Sequence, residues 1–362
     1  MLKNKKALFV LGALIVVFIV VMIVISLVVS RPLPFNQIEN VMYRAAISYY
    51  HNNLEEFEEI TPGTIVTLST SHLDNYMKPL DSMLEQGVHC DGVVRVSIVN
   101  ESIAFFPFLD CGDDYYTKSL SNYIKNNEEI VEEGPGLYED NNTYIYRGSR
   151  VDNWVEFNDR FWRILEIDEN NQIKMVESAT RRRTIWDSRL NPERDGRPGV
   201  NEFRDIQTEH SDIRYFLDDL VASEDYLSPE HWGYLSYMDL CIGKRSLEDT
   251  SISGATECDE LFEDQLIGLL SVYEFMRVSL DDDCRVATDI YCENFNYLTN
   301  LPASWLLTGV EESTHEVFYI TPRRVVTSRA SRSLRTVTMI TLNPYVAVSE
   351  GDGSAENPYV IN

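Results

Sequence analysis

Residues 153–167, NWVEFNDRFWRILEI, predict a β-hairpin in the larger part of this 362-residue chain. Along its second half the side chains alternate between two faces: Phe161, Arg163, Leu165 and Ile167 point one way, and Trp162, Ile164 and Glu166 the other. Asn158-Asp159 fits a tight turn, although the favoured glycine is missing from its second position. A turn at Asn170-Asn171 leads to the next strand-like run, at 172–177. The stretch therefore predicts an antiparallel meander with aromatic residues on both faces.

The chain begins with a long apolar run, ALFVLGALIVVFIVVMIVISLVVS at 7–30, which contains no charge. A helix of this length is roughly 36 Å long, enough to cross a hydrocarbon core of ~30 Å. Lys3, Lys5 and Lys6 precede it, so the positive-inside rule places residues 1–6 in the cytoplasm and the rest outside. We expect a single-pass membrane protein with an uncleaved anchor.

Two other readings of the apolar run fit less well. A cleaved signal peptide usually has an apolar part of ~7–15 residues, and 28–32 is a poor cleavage site. A type IV prepilin leader is suggested by Gly12. That family has an aromatic residue or Met just after the cut and Glu at the fifth position, where this chain has Ala13 and Val17.

The net charge of −27 excludes several classes of partner. Such a field repels nucleic acids and anionic lipid surfaces, so neither is expected to bind. Arginines cluster at 181–183 and again at Arg329, Arg332 and Arg335. In so acidic a chain we expect these arginines to be ion-pair partners rather than a site for a polyanion.

Six cysteines lie outside the membrane on this topology, where disulfides can form. Six cysteines allow 15 pairings. Their order along the chain favours the neighbouring pairs Cys90–Cys111, Cys241–Cys258 and Cys284–Cys292. A zinc site is the weaker alternative, because no C-x-x-C or H-x-x-x-H spacing occurs.

Residues 35–118 predict a small α+β domain. Asn36 and Glu39 resemble a capping box and open a helix that we expect to run to about Glu59. Its apolar stripe is Ile38, Val41, Met42, Ala45 and Tyr49, and the strands that follow are 64–69, 93–99 and 103–108. Residues 119–142 are polar and acidic, with Gly134-Pro135-Gly136 in their middle, and predict a linker.

A membrane helix, a second helix and then a meander resemble the pilin and pseudopilin architecture. SHLDNYMKPLDSMLEQGVHCDGVVRVS at 71–97 and FFPFLDCGDDYYTK at 105–118 are also similar to a membrane-proximal module of surface proteins from low-GC Gram-positive bacteria. In that module a cysteine pair brackets two strands, as Cys90 and Cys111 do here. The resemblance implies a pilin-like stalk. The absent prepilin signature argues against assembly into a pilus.

Residues 143–362 resemble a domain of unknown function found in Firmicutes cell-surface proteins. The matching segments are 144–149, 153–167, WDSRLN at 186–191, SDIRYFL at 211–217, IGLLSVYEF at 267–275, CENFNYL at 292–298, TLNP at 341–344 and GDGSAENPYV at 351–360. Most copies have Arg-Pro before the final strand, whereas this chain has Arg335-Thr336. The family is similar to the C-type-lectin-like and sulfatase-modifying-enzyme folds. The resemblance implies a twisted antiparallel sheet, two helices and long irregular loops, without an established activity.

Calcium is the one cofactor that the residues suggest. Asp281, Asp282 and Asp283 with Asp289 could supply oxygen ligands. The glycine-and-glutamate spacing of a defined calcium loop is missing, and so are the Glu-Pro-Asn and Trp-Asn-Asp patterns of calcium-dependent lectins. A solvated acidic loop is the alternative, and we expect no cofactor.

Tryptophan rings are the candidates for contact with a saccharide or peptide. Trp154, Trp162, Trp186 and Trp305 could stack on a ligand, although aromatic residues in strands usually fill a core. Within the lectin-like domain, the residues predicted to face a ligand are Trp186, Trp232 and Trp305.

An enzyme is the third alternative. Formylglycine-generating enzymes of the similar fold use a cysteine pair, whose only conceivable counterparts are Cys284 and Cys292. The spacing and flanking residues of this pair do not match that motif. Gly-x-Ser-x-Gly and His-Glu-x-x-His are both absent.

The sequence therefore predicts an α+β protein in three parts: an N-terminal membrane helix, a pilin-like domain and an antiparallel, β-rich lectin-like domain. The predicted function is adhesion to or recognition of an extracellular protein or glycan, without catalysis. The alternative is a structural cell-envelope or pilus-like component.

Overall fold

A computed structural model describes residues 17–18, 32–179, 182–205, 209–223, 225–249, 254, 256–280, 296–322 and 324–361. The fold is mixed α+β with mostly antiparallel sheets, as predicted. Within these residues, no helix is both long and apolar enough to cross a bilayer. The predicted span at 7–30 lies outside the described residues, apart from 17 and 18.

The chain divides into two compact units. Of the described residues, the first unit contains those from 32 to 60, Ile65–Val96 and Phe105–Thr117, and the second contains Thr61–Thr64, Ser97–Ala104 and those from Lys118 onward. The change at 117–118 coincides with the predicted end of the first domain.

The first unit combines short helices with a three-stranded sheet in the order β1-β2-β3. Its elements are α1 (Phe35–Asn52), α2 (Glu55–Glu58), β1 (Ile65–Ser69), α3 (Thr70–Leu73), a 3-10 turn at Leu80–Ser82, β2 (Asp91–Val99) and β3 (Ser102–Asp110). The predicted strands are confirmed within three residues. The first helix ends seven residues early, at Asn52, and a separate turn of helix follows.

The predicted apolar stripe forms the core of the first unit. Ile38, Met42, Ala45 and Tyr49 are at most 9% exposed, whereas Val41 is only half-buried. Cys90 and Cys111 form the predicted disulfide at the base of the β2–β3 hairpin.

The second unit is built largely of strands. In chain order these are β4 (Gly136–Asp140), β5 (Thr143–Arg147), β6 (Trp154–Phe157), β7 (Arg160–Ile167), β8 (Ile173–Glu177), β9 (Thr184–Ile185), β10 (Leu190–Asn191), β11 (Arg197–Pro198), β12 (Leu235–Ser236), β13 (Met238–Cys241), β14 (Lys244–Arg245), β15 (Leu261–Gln265), β16 (Gly268–Leu269), β17 (Ser304–Val310), β18 (Glu316–Ile320), β19 (Val325–Arg329), β20 (Ser333–Leu334), β21 (Thr338–Leu342) and β22 (Tyr359–Val360). Its helices are α4 (Leu120–Asn127), α5 (Asp212–Ala222) and α6 (Val272–Arg277). Short 3-10 turns occupy Pro192–Arg194, Pro229–Tyr234, Glu257–Asp259 and Tyr297–Asn300.

A nine-stranded sheet organises the second unit, with the order β12-β21-β8-β7-β5-β4 and with β6, β16 and β22 beside this path. A four-stranded sheet, β14-β17-β18-β19, accompanies it. The predicted β6–β7 hairpin is confirmed, and its two turn residues Asn158 and Asp159 have φ of +53° and +56°. Asn and Asp tolerate this left-handed conformation, which explains why the turn forms without glycine.

The strict alternation predicted for β7 is only partly observed. Phe161 is 50% exposed and Trp162 is fully buried, as alternation requires. A register shift lies between Ile164 and Glu166, and both Ile164 and Leu165 are buried. The irregular pairing thus changes which face of the sheet the side chains at the end of β7 occupy, and Glu166 is one of them.

The predicted linker at 119–142 is wrong. Ser119 caps α4 by accepting a hydrogen bond from the amide of Asn122, and β4 pairs with β5 in the main sheet. Leu120, Ile124 and Leu137 are 0–1% exposed. The segment has few apolar residues, but these lie on one side of α4 and of β4. They pack against the much larger main sheet and complete its hydrophobic core.

Limited proteolysis should therefore spare 119–142. We expect Ile124→Asp to expose this segment to a Glu-specific protease, because a charge placed at a fully buried site costs several kcal/mol. Asn126→Asp is the matched control, since Asn126 is exposed on the same helix. Rapid first cleavage at 119–142 in the unaltered protein would contradict the observed fold.

The second predicted disulfide, Cys241–Cys258, is also confirmed, and it lies within the second unit. The third predicted pair, Cys284–Cys292, falls outside the described residues, as do the calcium candidates Asp281, Asp282, Asp283 and Asp289.

Candidate functional site

The tryptophans predicted to face a ligand belong to the core. Trp186, Trp232 and Trp305 are 0%, 4% and 1% exposed, so the ligand-facing prediction is wrong for all three. The indole N–H of Trp186 donates to the carbonyl of Leu306 (3.1 Å), and that of Trp305 donates to the carbonyl of Thr184 (3.2 Å). These bonds satisfy the polar edge of each ring internally and leave the rings to pack the unit.

The WDSRLN segment at 186–191 supports loops. The buried Asp187 carboxylate accepts a hydrogen bond from Arg189 Nε at 2.6 Å. Arg189 also donates to the carbonyls of Arg204 (3.0 Å) and Glu209 (2.8 Å). Asn191 donates to the carbonyl of Gly199 at 3.0 Å. Hydrogen bonds from these side chains satisfy carbonyl groups of irregular loops, which have no neighbouring strand to pair with.

A polar cavity of about 380 Å³ opens where several strands of the second unit meet. It is lined by Glu166, Asp168, Gln172, Lys174, Tyr237, Met238, Asp239, Asp264 and Thr341, which we call the acidic pocket. Cross-strand pairing of Glu166 with Lys174, and of Lys174 with Thr341, places these three side by side. The antiparallel pair of strands β13 and β15 supplies Asp239 and Asp264.

Lys174 is held in place at one side of the acidic pocket. Its Nζ lies 3.1 Å from Glu166 Oε1 and 3.2 Å from Glu274 Oε1, while Arg277 pairs with the other oxygen of Glu166. Burial opposes the charge on Lys174, but Glu166 and Glu274 outweigh it and raise its pKa. Burial likewise works to raise the pKa of Glu166, yet Lys174 and Arg277 hold that pKa below its usual value. Lys174 and Glu166 therefore stay charged at neutral pH.

The other carboxylates keep open acceptor positions. Asp168 Oδ1 accepts from the amides of Asn170 (2.9 Å) and Gln172 (2.8 Å), and Asp239 Oδ1 accepts from the amide of Asp264 (3.2 Å). Within the described ranges, no cationic side chain forms an ion pair with Asp168, Asp239 or Asp264. Burial raises the pKa of Asp168, which reflects the cost of keeping its charge without such a partner.

This arrangement suits a ligand that donates hydrogen bonds. Hydroxyl, ammonium and guanidinium groups can satisfy the open carboxylate oxygens, and Tyr237 is the aromatic residue of the lining. The excess of carboxylates over Lys174 disfavours an anionic ligand. In the part of the chain described, no group of three or more His, Cys, Asp or Glu residues is arranged to hold a metal ion.

A second cluster of polar side chains surrounds Glu177 in the interior of the second unit, and the pKa of Glu177 is shifted there. Its Oε2 accepts from Thr338 Oγ1 (2.9 Å), which in turn accepts from the Tyr226 hydroxyl (2.8 Å). Arg160 Nη1 reaches Oε1 at 3.3 Å. Burial raises the pKa of Glu177 to about 7, even though Thr338 and Arg160 act to lower it.

The arginines of the two clusters differ in whether they form the predicted ion pairs. Arg182 does pair with Asp219, at 2.7 Å. Arg329, Arg332 and Arg335 are exposed and form no ion pair with a carboxylate of the described residues. Arg181 lies outside the described residues.

No protein-family model, curated protein or solved structure matches this chain.

Sequence reasoning missed the acidic pocket because its lining comes from segments up to 175 residues apart, from Glu166 to Thr341. One signal was available. Glu166 and Lys174 are charged residues inside otherwise apolar strand runs, and a charge at such a position needs a partner or a ligand.

Proposed function

We propose that this chain is a single-pass surface protein whose second unit binds an extracellular protein or glycan through the acidic pocket. Residues 1–6 are cytoplasmic, 7–30 span the membrane, and the two units lie outside. The lysines before the apolar run and two disulfides support this orientation. The first unit serves as a pilin-like stalk and the second as a lectin-like binding domain, on the resemblances described above.

One observation carries the binding role: the acidic pocket presents open carboxylate oxygens from Asp168, Asp239 and Asp264 around a cavity of about 380 Å³. This volume is within the range of small-molecule sites and fits a monosaccharide or a single basic side chain. The ligand is therefore a neutral or amino-bearing sugar, or a lysine or arginine of a partner protein. The pocket supports binding rather than catalysis, since its Lys174 and Glu166 are tied into ion pairs.

The test is binding of intact cells that display the full-length chain to glycans and to basic and acidic peptides. We expect Asp239→Asn with Asp264→Asn to weaken the strongest interaction by about tenfold or more, since charge-assisted hydrogen bonds contribute ~1.5–3 kcal/mol each. Both side chains are exposed, so folding should be unaffected. Asp113→Asn with Asp114→Asn is the matched control, an exposed pair in the first unit.

The possible negative results of this test distinguish an error in the site from an error in the orientation or in the function. Unchanged binding by the pocket variant would show that the acidic pocket is not the site. Binding seen only after the cells are permeabilised would contradict the orientation. A folded protein that binds no probe would favour the structural envelope component instead.

A further inference from the structure

The second unit carries a local excess of positive charge that contrasts with the net charge of −27 of the chain. We call it the arginine surface, and it consists of the exposed Arg183, Arg197, Arg329, Arg332 and Arg335 with the half-buried Arg194. None of these six forms an ion pair with a carboxylate of the described residues. By contrast, the neighbouring Arg182 is neutralised by Asp219.

Three segments of the chain bring these arginines together. Pairing of β9 with β20 places Arg183 where its Nη2 donates to the carbonyl of Ser333 at 2.8 Å. The loop at 191–199 lies against the turn after β19, since a Cβ added at Gly199 would be 3.1 Å from the Ser331 amide nitrogen. The tight turn itself is closed by a bond from the amide of Arg332 to the carbonyl of Arg329, at 2.9 Å.

The surroundings of His315 show that the segments holding Arg194 and Arg329 are close in space. Burial lowers the pKa of its imidazole, and Arg194 and Arg329 lower it further by charge repulsion. Both guanidinium groups therefore act on the same ring, although 135 residues separate them in the sequence. Glu316 opposes this effect, and Glu193 and Asp195 lie in the same loop as Arg194. Segments 183–185, 191–199, 315–316 and 329–335 thus hold six arginines and three acids. Asp212, Asp218 and Asp219 line a neighbouring depression together with Arg182 and Thr184.

The guanidinium groups have most of their donors available. Arg332 donates one long hydrogen bond, to Ser328 Oγ at 3.5 Å, and lies over the Tyr319 ring, 5.8 Å from its centroid. Arg194 donates one to the carbonyl of Pro198 at 3.4 Å. Each guanidinium has five N–H donors in a planar fork that matches carboxylate, sulfate and phosphate groups. Arginines that have no carboxylate partner among the described residues can bind such anions.

We propose that the arginine surface binds an anionic extracellular polysaccharide. A single flexible chain can follow the arginines while staying clear of the acidic remainder of the protein, whose charges are screened over ~8–10 Å. A membrane or a nucleic-acid duplex would bring many more charges against that acidic remainder and be repelled. This proposal is independent of the acidic pocket, which favours ligands of the opposite charge.

The test uses purified full-length protein and two probes, heparin and polygalacturonate, with neutral dextran as the uncharged comparison. We expect both anionic probes to bind, and binding to weaken as salt rises. Arg329→Gln with Arg332→Gln should weaken it on the order of tenfold, since each exposed ion pair that is lost lowers affinity by a few-fold. Arg44→Gln with Arg150→Gln removes the same charge from exposed positions elsewhere and should change affinity less than twofold.

Three results would overturn the proposal: equal affinity of the Arg329/Arg332 variant and the unaltered protein, equal binding of dextran, or equally tight binding of anionic vesicles or duplex DNA. The Asp239/Asp264 variant separates this site from the acidic pocket. It should retain heparin binding in full, whatever its effect on the ligand of the pocket.

Discussion

Replacing Arg245 by methionine should destabilise the second unit by about 3–5 kcal/mol, the cost of removing one partner from a buried ion pair. Arg245 Nη1 lies 2.7 Å from Glu257 Oε2, and the two side chains are 1% and 0% exposed. Burial raises the pKa of Glu257 even with Arg245 present to lower it. Without the guanidinium, the carboxylate must either stay charged in an apolar site or take up a proton.

Thermal unfolding followed by circular dichroism measures this effect. For a unit of this size we expect the melting temperature to fall on the order of 10 °C. Arg204→Met is the matched control, since its pair with Glu260 is 54% and 43% exposed, and exposed pairs contribute at most ~1 kcal/mol. Arg245→Met combined with Glu257→Leu should recover much of the loss. Equal destabilisation by the two single variants would refute a special role for the buried pair.

Glu177→Gln should stabilise the protein at pH 8 but not at pH 5. Burial raises the pKa of Glu177 from 4.5 to about 7. Between these values the folded state holds a proton that the unfolded chain has released, so the free energy of unfolding falls as pH rises through this window. With one pKa unit equal to ~1.4 kcal/mol, this shift corresponds to a loss of about 3 kcal/mol at pH 8. Gln removes the charge and keeps an acceptor for Thr338.

Urea unfolding at pH 5 and pH 8 tests this expectation. The difference in unfolding free energy between Glu177→Gln and the unaltered protein should grow with pH. Glu169→Gln is the control, because Glu169 is exposed and its substitution should give a small difference at both pH values. A pH-independent difference for Glu177→Gln would show that its carboxylate titrates in its ordinary range.

Local sequence determined several elements of this protein. The alternation along 160–167 and the Asn158-Asp159 turn were enough to predict the β6–β7 hairpin, since strand pairing at a two-residue turn depends on neighbouring residues. The apolar spacing after Asn36 predicted α1 for the same reason. Cys90–Cys111 and Cys241–Cys258 followed from order along the chain, because each pair closes a short loop.

Only the tertiary structure decided which polar segments are ordered and which charges are paired. Residues 119–142 are acidic and poor in apolar side chains, but Leu120, Ile124 and Leu137 are buried by strands that lie elsewhere in the sequence. The acidic pocket and the arginine surface are likewise assembled from segments more than a hundred residues apart. Composition averages charge over the chain, whereas burial and pairing depend on which side chains long-range strand pairing brings together. That is why a chain of net charge −27 presents both an acidic pocket and an arginine surface.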